Sequence, residues 1–194
     1  MQPFTAKKFN IPALKGISAK TIEEHLKLYE GYVKNLNLIH EIVENPNNPE
    51  YARREAYRRQ GFEFGGMRNH EYYFSSFEGG PKELSEDSAF FKKWTDGDKT
   101  ADSRLQIFKN LATTRGVGWA MLGYDKVTDR LIQYWVDEQH FGHLPTVQIV
   151  LALDLWEHSY VADYLPSGKA KYVEDFFANL NWGVVEKNFE EAAK

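Results

Sequence analysis

The stretch VQIVLALDLWEHSYVADY, residues 147–164, decides how this chain folds. An apolar run ends abruptly at Asp154, His158 follows four residues later, and Trp156, Tyr160 and Tyr164 surround the pair. VQIVLALD reads as a strand buried on both faces, because a run dominated by β-branched and aliphatic residues offers water little polar surface. Two readings of its acidic end stay open. Asp154 can cap the segment after the strand while His158 is a satisfied core residue. Alternatively both are metal ligands, since imidazole nitrogen and carboxylate oxygen are common donors to first-row ions.

Working outward, GVGWAMLGYD (116–125) and RLIQYWVDE (130–138) read as two strands around the turn DKVTDR. Residues 86–112 read as helix in two pieces, and helix returns from 156 through KYVEDFFANLNW into a frayed charged tail. Upstream, residues 17–45 form a helix with Ser18 as N-cap and an apolar stripe of Ile22, Leu26, Tyr29, Val33, Leu36 and Ile39. PNNPE (46–50) stops it. A second helix covers 50–78 and contains GFEFGG (61–66). Its paired glycines cost about 1 kcal/mol each against alanine, so either a backbone approaches closely there or a bulky neighbour needs the room. The fold class expected is α+β: an N-terminal antiparallel helical hairpin (1–82), then an α/β domain with a three-stranded antiparallel sheet (83–194).

The composition removes several classes of function. With 194 residues the chain can bury a sizeable core, and 15% aromatic residues make that core rich in rings. No cysteine is present, which excludes disulfides, thiolate nucleophiles and thiolate-held metals. A net charge of −4 argues against a nucleic-acid partner or an anionic membrane. No apolar run reaches membrane-spanning length and the N-terminus is too polar for a signal peptide, so the expected location is cytoplasmic.

The chain has six histidines: His25, His40, His70, His140, His143 and His158. His25 lies on the first helix and His70 on the second, while His140 and His143 fall in EQHFGH after the second strand. One histidine from each long helix, joined to Asp154 and His158, would give three imidazoles and one carboxylate, a set suited to a divalent or trivalent first-row metal with an open position. Taken singly, His25 and His70 are as readily explained as core histidines with hydrogen-bond partners.

Taken together, the segments resemble the iron/manganese superoxide dismutase family. ISAKTIEEH with YVKNLN is similar to the family's first-helix motif, and NHEYYF to its second. GVGWAML is similar to its G-x-G-W strand, DLWEHSYVADY to its D-x-W-E-H signature, and LNW to its late asparagine–tryptophan pair. The resemblance implies one Fe or Mn ion per subunit, held by His25, His70, Asp154 and His158 with solvent as a fifth ligand. It implies superoxide as substrate, converted to dioxygen and hydrogen peroxide. It further implies a homodimer or a tetramer, joined through Glu157 of one subunit and His158 of the other. Lys169 stands where the family usually has an arginine, which places a cation for drawing in the anion.

Three departures qualify the resemblance. Tyr29 replaces a second histidine after the ligand, one residue is missing there, and Tyr32 takes the place of the active-site tyrosine. Val161 replaces a tyrosine that partners that histidine across the dimer. Gly66 stands where iron-type members place a glutamine, so the donor to the bound solvent is expected from the loop DEQHFGH. There His140 is favoured, with Gln139 as the alternative. The competing function is a metal-binding relative with altered or no dismutase activity. A di-iron carboxylate bundle is disfavoured because the chain has no Glu-x-x-His repeats.

Overall fold

The computed structural model describes residues 2–97 and 99–194. Two long antiparallel helices come first, α1 (Ala19–Glu44) and α2 (Glu50–Ser75). The Ser18 hydroxyl accepts from the Thr21 amide at 3.1 Å, which satisfies one of the N–H groups that a helix start leaves free. Ile22, His25, Tyr29, Val33, Leu36, Ile39 and Val43 of α1 are buried, spaced three or four apart and so on one face. The helix runs as one α-helix through Tyr32, as the shorter spacing from His25 allows.

After α3 (Ala89–Trp94) and α4 (Ala101–Ala112) come β1 (Gly118–Asp125), β2 (Arg130–Asp137) and β3 (Val147–Asp154), an antiparallel sheet in the order β2–β1–β3. Continuous burial belongs to β1, the central strand, and not to all of β3. Along β3, an edge strand, Gln148 is exposed and burial is complete only from Val150 onward. A bulge at Val150 shifts the pairing from Leu122–Leu151 to Gly123–Ile149. The Asn188 side chain donates to the Val150 carbonyl at 3.0 Å, covering the acceptor at the irregularity.

The chain closes with a 3₁₀ turn at Glu157–Ser159, α5 (Val161–Tyr164), a second such turn at Pro166–Gly168, α6 (Lys169–Asn179) and α7 (Trp182–Ala193). The expected frayed tail is thus a helix. Val185, Phe189 and Ala192 recur at helical spacing and are buried, and Phe189 packs on Tyr124 of β1 at 5.2 Å between ring centroids. The many charges of 186–194 mark its solvent face. Among the described residues no helix is long and apolar enough to cross a membrane.

Candidate metal centre

Four side chains from four segments meet where the hairpin packs on the end of the sheet. His25 comes from the buried stripe of α1, His70 from α2, Asp154 from the last position of β3, and His158 from the 3₁₀ turn that follows. Their donor atoms all lie within 4.8 Å of one another. Asp154 Oδ2 stands 3.0 Å from His25 Nε2, 3.3 Å from His158 Nε2 and 3.4 Å from His70 Nε2. The other oxygen, Oδ1, accepts the Trp156 amide at 2.8 Å, which fixes the plane of the carboxylate.

His70 is the most informative member. Its Nδ1 donates to the Gly66 carbonyl at 2.6 Å, and a carbonyl can only accept, so the ring carries its proton on Nδ1. Nε2 then holds a lone pair, is buried without a hydrogen-bond partner, and faces a carboxylate oxygen. Two lone pairs turned toward each other away from water are unfavourable unless a cation lies between them. The residues therefore fit a metal ion.

Electrostatics prepare the same groups. Burial, reinforced by the neighbouring His25, lowers the His70 pKa to about 3. Burial also lowers that of His25, with Asp154 opposing. Burial alone would raise the Asp154 carboxyl, but His158 and His25 more than reverse it and hold the group below its ordinary value. At neutral pH the set is thus two unprotonated buried imidazoles beside a carboxylate.

A stability prediction follows for the metal-free protein. As pH falls below 6.5 an unfolded His70 takes up a proton, whereas the folded one resists until about 3. The unfolded state binds more protons throughout that window, so stability falls with falling pH, at up to about 1.4 kcal/mol per unit for each such proton. Urea titrations should show this slope, shallower in His70→Leu. A flat profile across the window would contradict the burial argument.

Around the four lies a second group. Gln139, fully buried, accepts from Trp119 Nε1 at 3.0 Å through Oε1 and donates from Nε2 to the Tyr32 hydroxyl at 2.9 Å. The indole can only donate, so the orientation of the amide is fixed. Trp119 pairs with Asp154 across the β1–β3 ladder, and both its ring and that of Tyr32 pack on His70, at 5.0 and 5.1 Å. Burial, together with the charges of Asp154 and Glu63, pushes the Tyr32 phenol up and keeps it protonated.

The loop turns Gln139, and not the favoured His140, toward Trp119 and Tyr32. Asp137 and Phe141 exchange backbone hydrogen bonds of 2.8 and 3.1 Å, and Glu138 adopts a left-handed φ of 51°. That tight turn aims Gln139 inward and His140 outward, where its ring packs on Phe141 at 3.9 Å and Phe62 at 5.7 Å. The space beside Gly66, expected to receive the loop donor, holds the Tyr32 ring instead. The loop docks one residue earlier, on Gly65, where Asn69 Nδ2 donates to the Gln139 carbonyl at 3.1 Å.

Tyr29 is buried and turned from the centre: its hydroxyl accepts the Lys7 amide at 2.8 Å and donates to Glu71 at 3.2 Å. Glu71 also pairs with Lys7 and Arg68 at 2.9 and 2.6 Å, a network that no local spacing announced. Lys169 does not present a free charge. Its ammonium donates to the Thr114 and Gly116 carbonyls at 2.7 and 3.2 Å and lies 5.5 Å over the Trp135 ring.

Residues 90–188 match the family described as iron/manganese superoxide dismutases, C-terminal domain. A superoxide dismutase [Fe] of Aquifex aeolicus is 32% identical over 93% of this chain and 88% of its own length. The chain belongs to the iron/manganese superoxide dismutase family. Membership makes it an oxidoreductase of the superoxide dismutase type, and the helical hairpin followed by a three-stranded antiparallel sheet is consistent with the family's fold. A superoxide dismutase [Mn] of Mycolicibacterium paratuberculosis is 31% identical over 87% of the chain and 82% of its own length. A superoxide dismutase [Fe] of Methanothermobacter thermautotrophicus is 29% identical over 86% and 83%. Relatives named for either metal thus match to a similar degree.

Proposed function

We propose that the chain dismutates superoxide at one Fe or Mn ion per subunit, held by His25, His70, Asp154 and His158. The observation that carries this reading is the unpartnered His70 Nε2 facing Asp154 Oδ2 in a buried site. When bound, the ion supplies a one-electron change between its trivalent and divalent states and lowers the pKa of a coordinated solvent. The anionic Asp154 offsets part of the metal charge and favours the higher oxidation state. The Gly66 carbonyl holds the His70 ring and fixes which nitrogen is free, as outer hydrogen bonds to ligating imidazoles do. Elemental analysis with dismutase assays after iron or manganese loading tests the function. Metal-replete protein without activity would instead favour a metal-binding relative that has lost the reaction.

Gln139 is the outer hydrogen-bonding group in this proposal. It keeps an amide N–H on the Tyr32 oxygen, which leaves the phenol's own proton outside that bond and available for peroxide formation. Gln139→Leu should keep its metal and lose about 10- to 100-fold in rate, the usual effect of removing such a partner. His140→Ala should stay near wild type in both. If His140→Ala is the damaging change and Gln139→Leu is silent, the assignment is wrong.

The proposed assembly is a homodimer with Glu157 reaching His158 of the partner subunit. Glu157 is exposed and His158, 23% exposed, is the only one of the four open to solvent, so this edge suits coverage by a second copy. Glu157→Ala should shift sedimentation toward monomer and weaken activity together. A fully active monomer would count against the link.

A further inference from the structure

Beside the centre, on the His25 side, three tyrosines line up. The Tyr73 ring packs on His25 at 5.0 Å, and its hydroxyl accepts from Tyr172 at 3.1 Å. Both phenols are fully buried. The Tyr172 ring meets Tyr164 edge-on at 5.8 Å, and the half-buried Tyr164 donates to Asp175 Oδ2 at 2.9 Å. The proposed dismutation uses none of these groups. We propose that Tyr73, Tyr172 and Tyr164 form a relay that carries an oxidising equivalent away from the metal site, trapped at Tyr164 by transfer of its phenol proton to Asp175. The inference rests on the metal-binding reading above.

The need arises from the chemistry of the product. A ferrous ion held by His25, His70, Asp154 and His158 would give one electron to hydrogen peroxide, whose O–O bond would break to leave hydroxide and a hydroxyl-radical-level oxidant. That oxidant would become a second hydroxide by taking an electron from the protein, in this proposal through the Tyr73 ring beside His25. In sum, Fe(II), H₂O₂, Tyr164–OH and the Asp175 carboxylate give Fe(III), two hydroxides, the Tyr164 phenoxyl radical and Asp175–COOH. Charge and hydrogen balance on the two sides. Without an exit, the hole would be quenched on a ligand.

Proton acceptors select the terminus. An oxidised ring is a strong acid, and its hole is fixed where a base takes the proton. Trp119 Nε1 faces the amide oxygen of Gln139, and Trp156 Nε1 the Glu138 carbonyl at 3.1 Å, both poor bases. Tyr29 also faces a carboxylate, Glu71, ion-paired through its other oxygen to Lys7 and Arg68 as Asp175 is to Lys171, but the Tyr29 ring has no exposed surface. Tyr164 combines a carboxylate acceptor with access to solvent, where reductants can restore it.

The test uses iron-loaded full-length protein with its metal quantified, reduced anaerobically, mixed with one equivalent of hydrogen peroxide and freeze-quenched. Electron paramagnetic resonance should show a tyrosyl signal that changes with ring-deuterated tyrosine, and a spin trap should mark Tyr164 by mass spectrometry. Tyr164→Phe and Tyr73→Phe should each cut the tyrosyl yield several-fold and speed inactivation by peroxide. Tyr164→Phe should leave the initial dismutase rate unchanged. Iron-replete protein whose label sits on Tyr29, Tyr32 or a tryptophan, indifferent to Tyr164→Phe, overturns the relay alone. Protein that takes up no iron overturns the metal-binding reading and the relay with it.

Discussion

Replacing His70 with alanine should strip most metal from the protein and reduce dismutase activity to background. The side chain is fully buried, its tautomer is set by the Gly66 carbonyl, and nothing but a cation satisfies Nε2. The change removes one of the four donor groups, from a position enclosed by the rings of His25, Tyr32, Phe74 and Trp119. His40→Ala is the matched control: His40 is half-buried against Phe4, outside the cluster, and its loss should leave metal content intact. Elemental analysis of both purified variants, with activity assayed after reloading, decides the matter. Full metal occupancy in His70→Ala would sink the ligand assignment.

Much of this centre was legible in the sequence because its members sit on elements with strong periodic signals. His25 falls on the buried stripe of α1, and Asp154 falls where an apolar strand stops. The D-x-W-E-H signature then fixes His158 four residues on. What could not be read depends on distant partners or on turn geometry. Whether Gln139 or His140 faces inward is decided by the Asp137–Phe141 bridge and the left-handed Glu138, and a shift of one residue inverts the answer. The hydroxyl of Tyr29 finds Lys7 and Glu71, 22 and 42 residues away. The tail of α7 misled for a simpler reason. Its three buried side chains are widely spaced among charges, and only packing on the sheet makes them a face.

The paired glycines join the two levels, since sequence allowed either a close backbone or a bulky neighbour and the fold uses both. A Cβ at Gly65 would lie 2.1 Å from the Gln139 carbonyl oxygen and 3.0 Å from its carbon. That backbone is tied by Asn69 and by the bridge across its turn, so it cannot yield cheaply. A Cβ at Gly66 would lie 2.4–2.7 Å from three ring atoms of Tyr32, a side chain rather than a backbone tied on both sides. Gly65→Ala should therefore lower stability by about 1–3 kcal/mol, as overpacking does, and reproduce the rate loss of Gln139→Leu by dragging the amide from Tyr32. Gly66→Ala should displace Tyr32 and lower the rate, with a smaller loss of stability. The two separate cleanly in a Tyr32→Ala background, where the ring is gone. There Gly66→Ala should become harmless, because its methyl enters vacated space, while Gly65→Ala keeps its full effect against the loop. Equal penalties for Gly66→Ala in both backgrounds, measured by urea denaturation, would show that the ring contact is not what that glycine serves.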